Sequence, residues 1–159
     1  MKRLALIAVA GVLLLMAAFG VGGYLGTRHS AEFPRVSAFT RGELSTPGPF
    51  VYCDPLFTEC FDPQDSGALD VDPGNVVQLS VPDEIGKHLW RLLLVHEDGA
   101  IEAIFRPGER SAVTIATVDP NQGKLQRIVV QLPTIVLVDG EEAETFHAEW
   151  SVAANWPAG

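Results

Sequence analysis

Beyond residue 34 the apolar residues recur with a period of two, the repeat that an extended chain imposes on its side chains. Val77, Leu79 and Val81 alternate with Gln78 and Ser80, and Val113 and Ile115 alternate with Ala112 and Thr114. Ile128, Val130 and Leu132 fall on one face of a further segment, and Phe146, Ala148, Trp150 and Val152 on one face of another. These are expected to be half-buried strands of an antiparallel sheet. Leu89–Val95 and Thr134–Val138 are apolar on both faces and read as central strands. Asp98-Gly99 and Asp139-Gly140 each join two such runs, and Asp-Gly supplies the positive φ angles of a tight hairpin. Asp119–Gly123 is another turn, and Pro133 interrupts an apolar run, which predicts an edge, a bend or a change of sheet. No segment after residue 30 has a helical period. About seven to nine short strands at this spacing predict an all-β domain, an immunoglobulin-like β-sandwich with Trp90 between its sheets. A small closed β-barrel is the alternative.

The N-terminus has a different pattern. Leu4–Gly26 is a run of twenty-three residues with no charge, roughly 34 Å long as a helix against a hydrocarbon core of ~30 Å. A transmembrane signal anchor over residues 1–26 is expected. Small residues at Gly20 and Gly22 leave a cleaved signal peptide as the alternative. Lys2 and Arg3 precede the run, which predicts a cytoplasmic N-terminus and a single-pass protein of the cell membrane with an extracytoplasmic C-terminal domain. Residues 27–34 are a short stalk, and 35–159 the domain, held close above the bilayer. Gly20, Gly22, Gly23 and Gly26 cluster in the outer half of the run, where small residues allow helices to approach closely.

Charge narrows the partners. Residues 29–159 hold eight Lys and Arg against all twenty Asp and Glu, a formal charge of −12. Nucleic acid and anionic lipid head groups would repel such a surface. The bilayer is therefore contacted through the N-terminal helix.

Candidate chemistry is sparse. His88 and His96 fall in one expected strand, roughly 26 Å apart, too far to share an ion, and His147 is expected to face solvent. Both methionines precede residue 17, so the usual blue-copper ligand set cannot be assembled. Asp62, Asp65, Asp70 and Asp72 offer oxygens for calcium, yet their spacing differs from that of the helix–loop–helix calcium site. No Gly-x-Ser-x-Gly, Gly-rich phosphate loop or His-Glu-x-x-His occurs, so no catalytic residue and no cofactor is implied.

Cys53 and Cys60 are the only cysteines, and six residues separate them. A redox pair, half of a metal site and a structural disulfide are the three readings. Export to an oxidising compartment favours the disulfide, and the spacing is unlike Cys-x-x-Cys. The bridge would present Leu56 and Phe57 at the tip of an exposed loop. Arg106 and Arg110 flank Pro107-Gly108 and are the densest cationic spot in the acidic domain, able to dock an anionic group. These four residues are the candidate partner contacts.

The segments "PFVYCDPLFTEC", "WRLLLVHEDG", "FRPGERSAVTI", "VQLPTIV" and "HAEWSV" together resemble a family of uncharacterised membrane-anchored envelope proteins of actinobacteria, over about residues 33–152. The resemblance implies an envelope location and an anchored β-domain, and carries no activity or cofactor across. The expected function is a non-catalytic binding or accessory subunit of an integral membrane complex for transport, envelope biogenesis or respiration. A domain binding a small ligand or metal ion is the alternative, and a hydrolase or thiol oxidoreductase comes last.

Overall fold

The computed structural model describes residues 33–157; the expected anchor lies outside them. The regular structure of the described chain is almost entirely β. Its strands are β1 (Ser37–Thr40), β2 (Glu43–Ser45), β3 (Val51–Tyr52), β4 (Gly67–Asp70), β5 (Val76–Ser80), β6 (Trp90–His96), β7 (Ala100–Phe105), β8 (Ala112–Ala116), β9 (Val118–Asp119), β10 (Gly123–Val138) and β11 (Glu141–Asn155). One helical turn, α1 (Asp83–Gly86), precedes β6.

Two sheets form. The smaller has the order β2-β1-β5-β8; the larger has the order β3-β11-β10-β6-β7, with β4 added on β11 and β9 on β10. Val36, Ala38, Val77, Leu79 and Ile115 from the smaller sheet's side join Trp90, Leu92, Ile128, Val130, Leu132, Trp150 and Val152 of the larger in one buried cluster. The alternation read from the sequence therefore aims the right residues inward along β5, β8 and the body of β10. Trp90 is fully buried, stacked on Phe105 with ring centroids 4.3 Å apart, and its Nε1 donates to the Arg110 carbonyl.

Several expectations are corrected. The larger sheet is not wholly antiparallel, because β4 runs parallel to β11, Val152 opposite Gly67 through Asn155 opposite Asp70. This strand lies inside the stretch read as an acidic loop, where Leu69 and Val71 alternate into the core between exposed Asp70 and its neighbours. Asp139 and Gly140 both have positive φ (54° and 85°), as a two-residue hairpin demands. Asp98-Gly99 has none; its three-residue loop closes instead through the His96 N–H donating to the Gly99 carbonyl. A turn missed in the sequence, Arg41-Gly42, joins β1 to β2 with φ of 49° and 84°.

Thr134–Val138 is not a central strand. β6 pairs with β10 only as far as Gln131, and past that point β10 pairs with β11 alone. Residues 133–146 are thus a two-stranded ribbon, in which Ile135 and Leu137 are 64% and 73% exposed. β6 ends there because the chain before Trp90 turns away into α1. At the base of the ribbon Leu132 pairs with Ala148 but Pro133 with Phe146, so His147 is an extra residue, a β-bulge. The bulge reverses the side on which β11 side chains fall. Phe146, expected in the core with Ala148 and Trp150, packs on the opposite face beneath Arg91, whose guanidinium carbon is 3.9 Å from the ring centroid. There Arg91 donates to Gln131 Oε1 from Nε (2.9 Å) and Nη2 (2.8 Å), and Gln131 Nε2 donates to Glu149 Oε2 at 2.6 Å.

Candidate functional site

The Cys53–Cys60 pair is a disulfide, and it closes the loop that follows β3. β3 aligns Tyr52 with Ala148 of β11, which aims the loop toward the base of the ribbon. Inside the loop the Asp54 N–H donates to the Glu59 carbonyl (2.9 Å), and the Phe57 N–H to the Asp54 carbonyl (2.9 Å). The Asp54 carboxylate accepts from the Glu59 N–H (2.8 Å) and the Thr58 hydroxyl (2.9 Å). The Glu59 N–H bond, aided by Thr58, holds this carboxyl below the usual aspartate value of 3.8. Phe57 has φ of +57°, and Leu56 at the tip is 79% exposed.

Arg106–Arg110 joins β7 to β8. The Arg106 N–H donates to Glu109 Oε2 (2.9 Å), and the Gly108 N–H to the Gly86 carbonyl of α1 (2.8 Å). The second bond and that from Trp90 to the Arg110 carbonyl pin the turn at both ends. Both arginines are exposed. Among the described residues neither guanidinium has a carboxylate partner. Gly108 has φ of +73° with open space where a Cβ would be, so Gly108→Ala strains only the backbone. It is expected to cost ~1–2 kcal/mol, measured as a lower midpoint in urea.

The two predicted contact regions lie at one pole of the molecule. A groove of about 390 Å³ lies beside the disulfide loop, lined by Tyr52 and Pro55 on the loop side, Glu84, His88 and Leu89 around α1, and Pro133 and His147 at the ribbon base; the arginine turn adjoins it only through α1, by the Gly108–Gly86 bond. The Thr134 hydroxyl donates to the Pro55 carbonyl across it at 3.3 Å. The described chain also begins at this pole. Phe33 lies edge-on to Tyr52 and Phe61, each with centroids 5.3 Å away, and the Pro34 carbonyl accepts from Trp150 Nε1 at 2.7 Å.

Of the described histidines, His88 and His147 share the walls of the groove and His96 lies apart from them. His88 lies in the turn after α1 rather than in β6, and is exposed. His96, at the far end of β6, is 5% exposed; its Nδ1–H donates to the Gly123 carbonyl (3.1 Å), and its Nε2 has no partner. His147, expected to face solvent, is half-buried by the bulge and donates from Nδ1 to the Cys53 carbonyl at 2.9 Å. The aspartates of residues 62–72 are dispersed. Asp70 belongs to β4, while the Asp72 carboxylate accepts from Arg41 and Asn75. Among the described residues no three His, Cys, Asp or Glu are arranged to hold a metal ion.

The model of the family described as "Protein of unknown function (DUF2771)" matches residues 29–155. The chain belongs to the DUF2771 family. Uncharacterized protein Rv0875c of Mycobacterium tuberculosis is similar to it, 46% identical over 158 residues that cover 96% of this chain and 98% of the relative. Uncharacterized protein Mb0899c of Mycobacterium bovis has the same identity and coverage. No solved structure matches. The DUF2771 match takes in both sheets, the disulfide loop and the arginine turn.

Proposed function

We propose that this DUF2771 protein is a non-catalytic accessory subunit, anchored in the cell membrane by residues 1–26 and docked through an extracytoplasmic domain on an integral membrane complex of the envelope. The domain is of immunoglobulin-like sandwich type, a reading supported by two sheets sharing one core with Trp90 between them. The parallel β4 and the long β10–β11 ribbon are additions to that plan.

One observation carries the functional reading. The exposed apolar tip (Leu56, Phe57), the groove beside its loop and, across α1, the arginines of the 106–110 turn share the end of the domain at which the described chain begins. With a stalk as short as residues 27–34, an anchor over residues 1–26 would hold the domain close above the bilayer, where an integral membrane partner would present its own loops. Confinement to the membrane raises the effective concentration of such a partner. Arginine supplies paired donors for a partner carboxylate, and an apolar tip supplies the desolvated centre that interfaces favour.

A second reading has its own support: the groove, with Tyr52, Glu84, His88 and His147 on its walls, has the volume of a small-ligand site. Purification of the full chain in mild detergent separates the two. Under the first reading another membrane protein is recovered with it, and Arg106→Glu/Arg110→Glu releases that protein. Recovery of this chain with no other polypeptide, and with a bound small molecule or ion in native mass spectrometry, would sink the first and support the second.

A further inference from the structure

We infer that the ribbon of β10 and β11 is a self-association edge, at which the 133–138 segments of two copies pair antiparallel. The Glu149 and His147 carbonyls accept from Phe50 and Cys53, so they point away from β10. Glu149 is opposite Gln131. Along an antiparallel strand successive residues direct their N–H and C=O to opposite sides, so Leu132, Thr134, Val136 and Val138 bond to β11 while Pro133, Ile135 and Leu137 face outward. The two-residue turn at Asp139-Gly140 requires the same parity, because it makes Val138 and Glu141 a hydrogen-bonded pair. Up to Gln131 the outward side is taken by β6; beyond it, among the described residues, the amides and carbonyls of Ile135 and Leu137 have no strand beside them. A proline at 133, where the parity is outward, removes no bond to β11.

This edge is complementary to itself. With Val136 on a two-fold axis, Ile135 of one copy is opposite Leu137 of the other. The two such pairs exchange four backbone hydrogen bonds. Ile135 and Leu137 then cluster with their counterparts on one face of the joined ribbon, burying the two most exposed large apolar side chains of the strand. Residue 139 of the second copy comes opposite Pro133, so its turn stops where Leu89 and Trp90 begin. The free edge is thus as long as the pairing needs, and β6 fixes the register.

Charge decides between a second copy and a cationic strand. Thr134–Val138 carries no charge, and Glu141, Glu142 and Glu144 are all on β11, the strand away from the edge. In the pair the two acidic rows are three strand spacings apart, ~14 Å, beyond the ~8 Å screening length at physiological salt. An excess of −12 on residues 29–159 is thereby kept out of the seam, whereas a basic strand would find nothing on the edge itself to neutralise. Edges of this kind are commonly blocked with lysine or an inward charge in proteins that stay apart; here only Pro133 interrupts the row. The inference holds whether or not residues 1–26 form an anchor.

The test uses the full-length chain in mild detergent with Val136→Cys. Facing positions across the seam at the two-fold are a non-hydrogen-bonded pair with Cα atoms ~4.5 Å apart, within disulfide range, and the native cysteines are already joined to each other. Mild oxidation is expected to convert most of the V136C chain to a covalent dimer, and Glu142→Cys, on the far strand, at least tenfold less. Adding Leu137→Pro to V136C removes two of the four seam bonds and none to β11, and is expected to lower cross-linking about tenfold. Should proline melt the ribbon, wild-type hydrogen exchange still decides: the Ile135 and Leu137 amides are expected to gain protection as protein concentration rises. Equal cross-linking at 136 and 142, an unlinked V136C, cross-linking of 136 only to a different protein, or concentration-independent exchange at both amides would each overturn the inference.

Discussion

Trp150→Ala is expected to bring the domain close to global unfolding. The side chain is fully buried and holds three parts of the chain together. Its ring lies edge-on to Tyr52 of β3 with centroids 6.1 Å apart, its backbone is opposite Val130 of β10, and its Nε1 donates to the carbonyl of Pro34, 116 positions upstream. Replacing a buried tryptophan by alanine costs ~3–5 kcal/mol, and leaving the Pro34 carbonyl unpaired adds to that where water cannot reach it. Against a total of ~5–15 kcal/mol, the variant retains a small margin at best. Its guanidinium midpoint should fall accordingly, with Trp156→Ala, at a half-buried site, falling far less. A Trp150→Ala domain with an unchanged midpoint would show that the Pro34 strap is dispensable and the core able to collapse around the gap.

Opening the disulfide has the next largest effect. Cys53→Ser/Cys60→Ser removes a cross-link that closes a short loop, worth ~2–3 kcal/mol in the chain-entropy model. For a domain of this size the melting temperature should drop by roughly 10 °C, and reduction of the wild type should reproduce the drop. The native loop is also tied by the Asp54 carboxylate. Because that carboxyl titrates below its ordinary value, its contribution is present above the aspartate range and fades only as pH falls through the lowered folded value. At neutral pH the two ties act together, so the double serine variant should remain folded at room temperature. Association with the proposed membrane partner should then persist; its loss in a folded variant would make the loop itself the contact.

Much of this structure is legible in the residues, for a physical reason. Alternation reports which face of a strand is covered, and Val77, Leu79, Ile128 and Val130 are buried as their spacing requires. What alternation cannot report is whether a neighbouring strand exists. Thr134–Val138 is as apolar as Leu89–Val95, yet one is a projecting edge and the other central, because the difference lies in where β6 stops. The Phe146 reversal is hidden likewise: His147 looks like any polar residue of an alternating strand, and only the pairing with β10 reveals two residues opposite one. β4 was masked by the aspartates around Leu69 and Val71. Among the proposed contacts the Cys53–Cys60 spacing and the Arg-Pro-Gly-Glu-Arg turn each stand out in the sequence, but the groove beside the disulfide loop is made with α1 and the ribbon base, which no local pattern joins to it.

The parallel pairing of β4 with β11 also governs when the domain can fold. Gly67–Asp70 completes its ladder only against Val152–Asn155, and Val51–Tyr52 only against Ala148–Glu149. Contacts so distant along the chain carry a large loop-closure cost and slow the search. The larger sheet therefore stays incomplete until residue 155 is available, with β10 and its apolar edge made before the strand that must cover its other side. A chain threaded vectorially from its N-terminus would pass through that half-made state every time, and a helper that shields the 133–138 segment meanwhile would shorten its exposure.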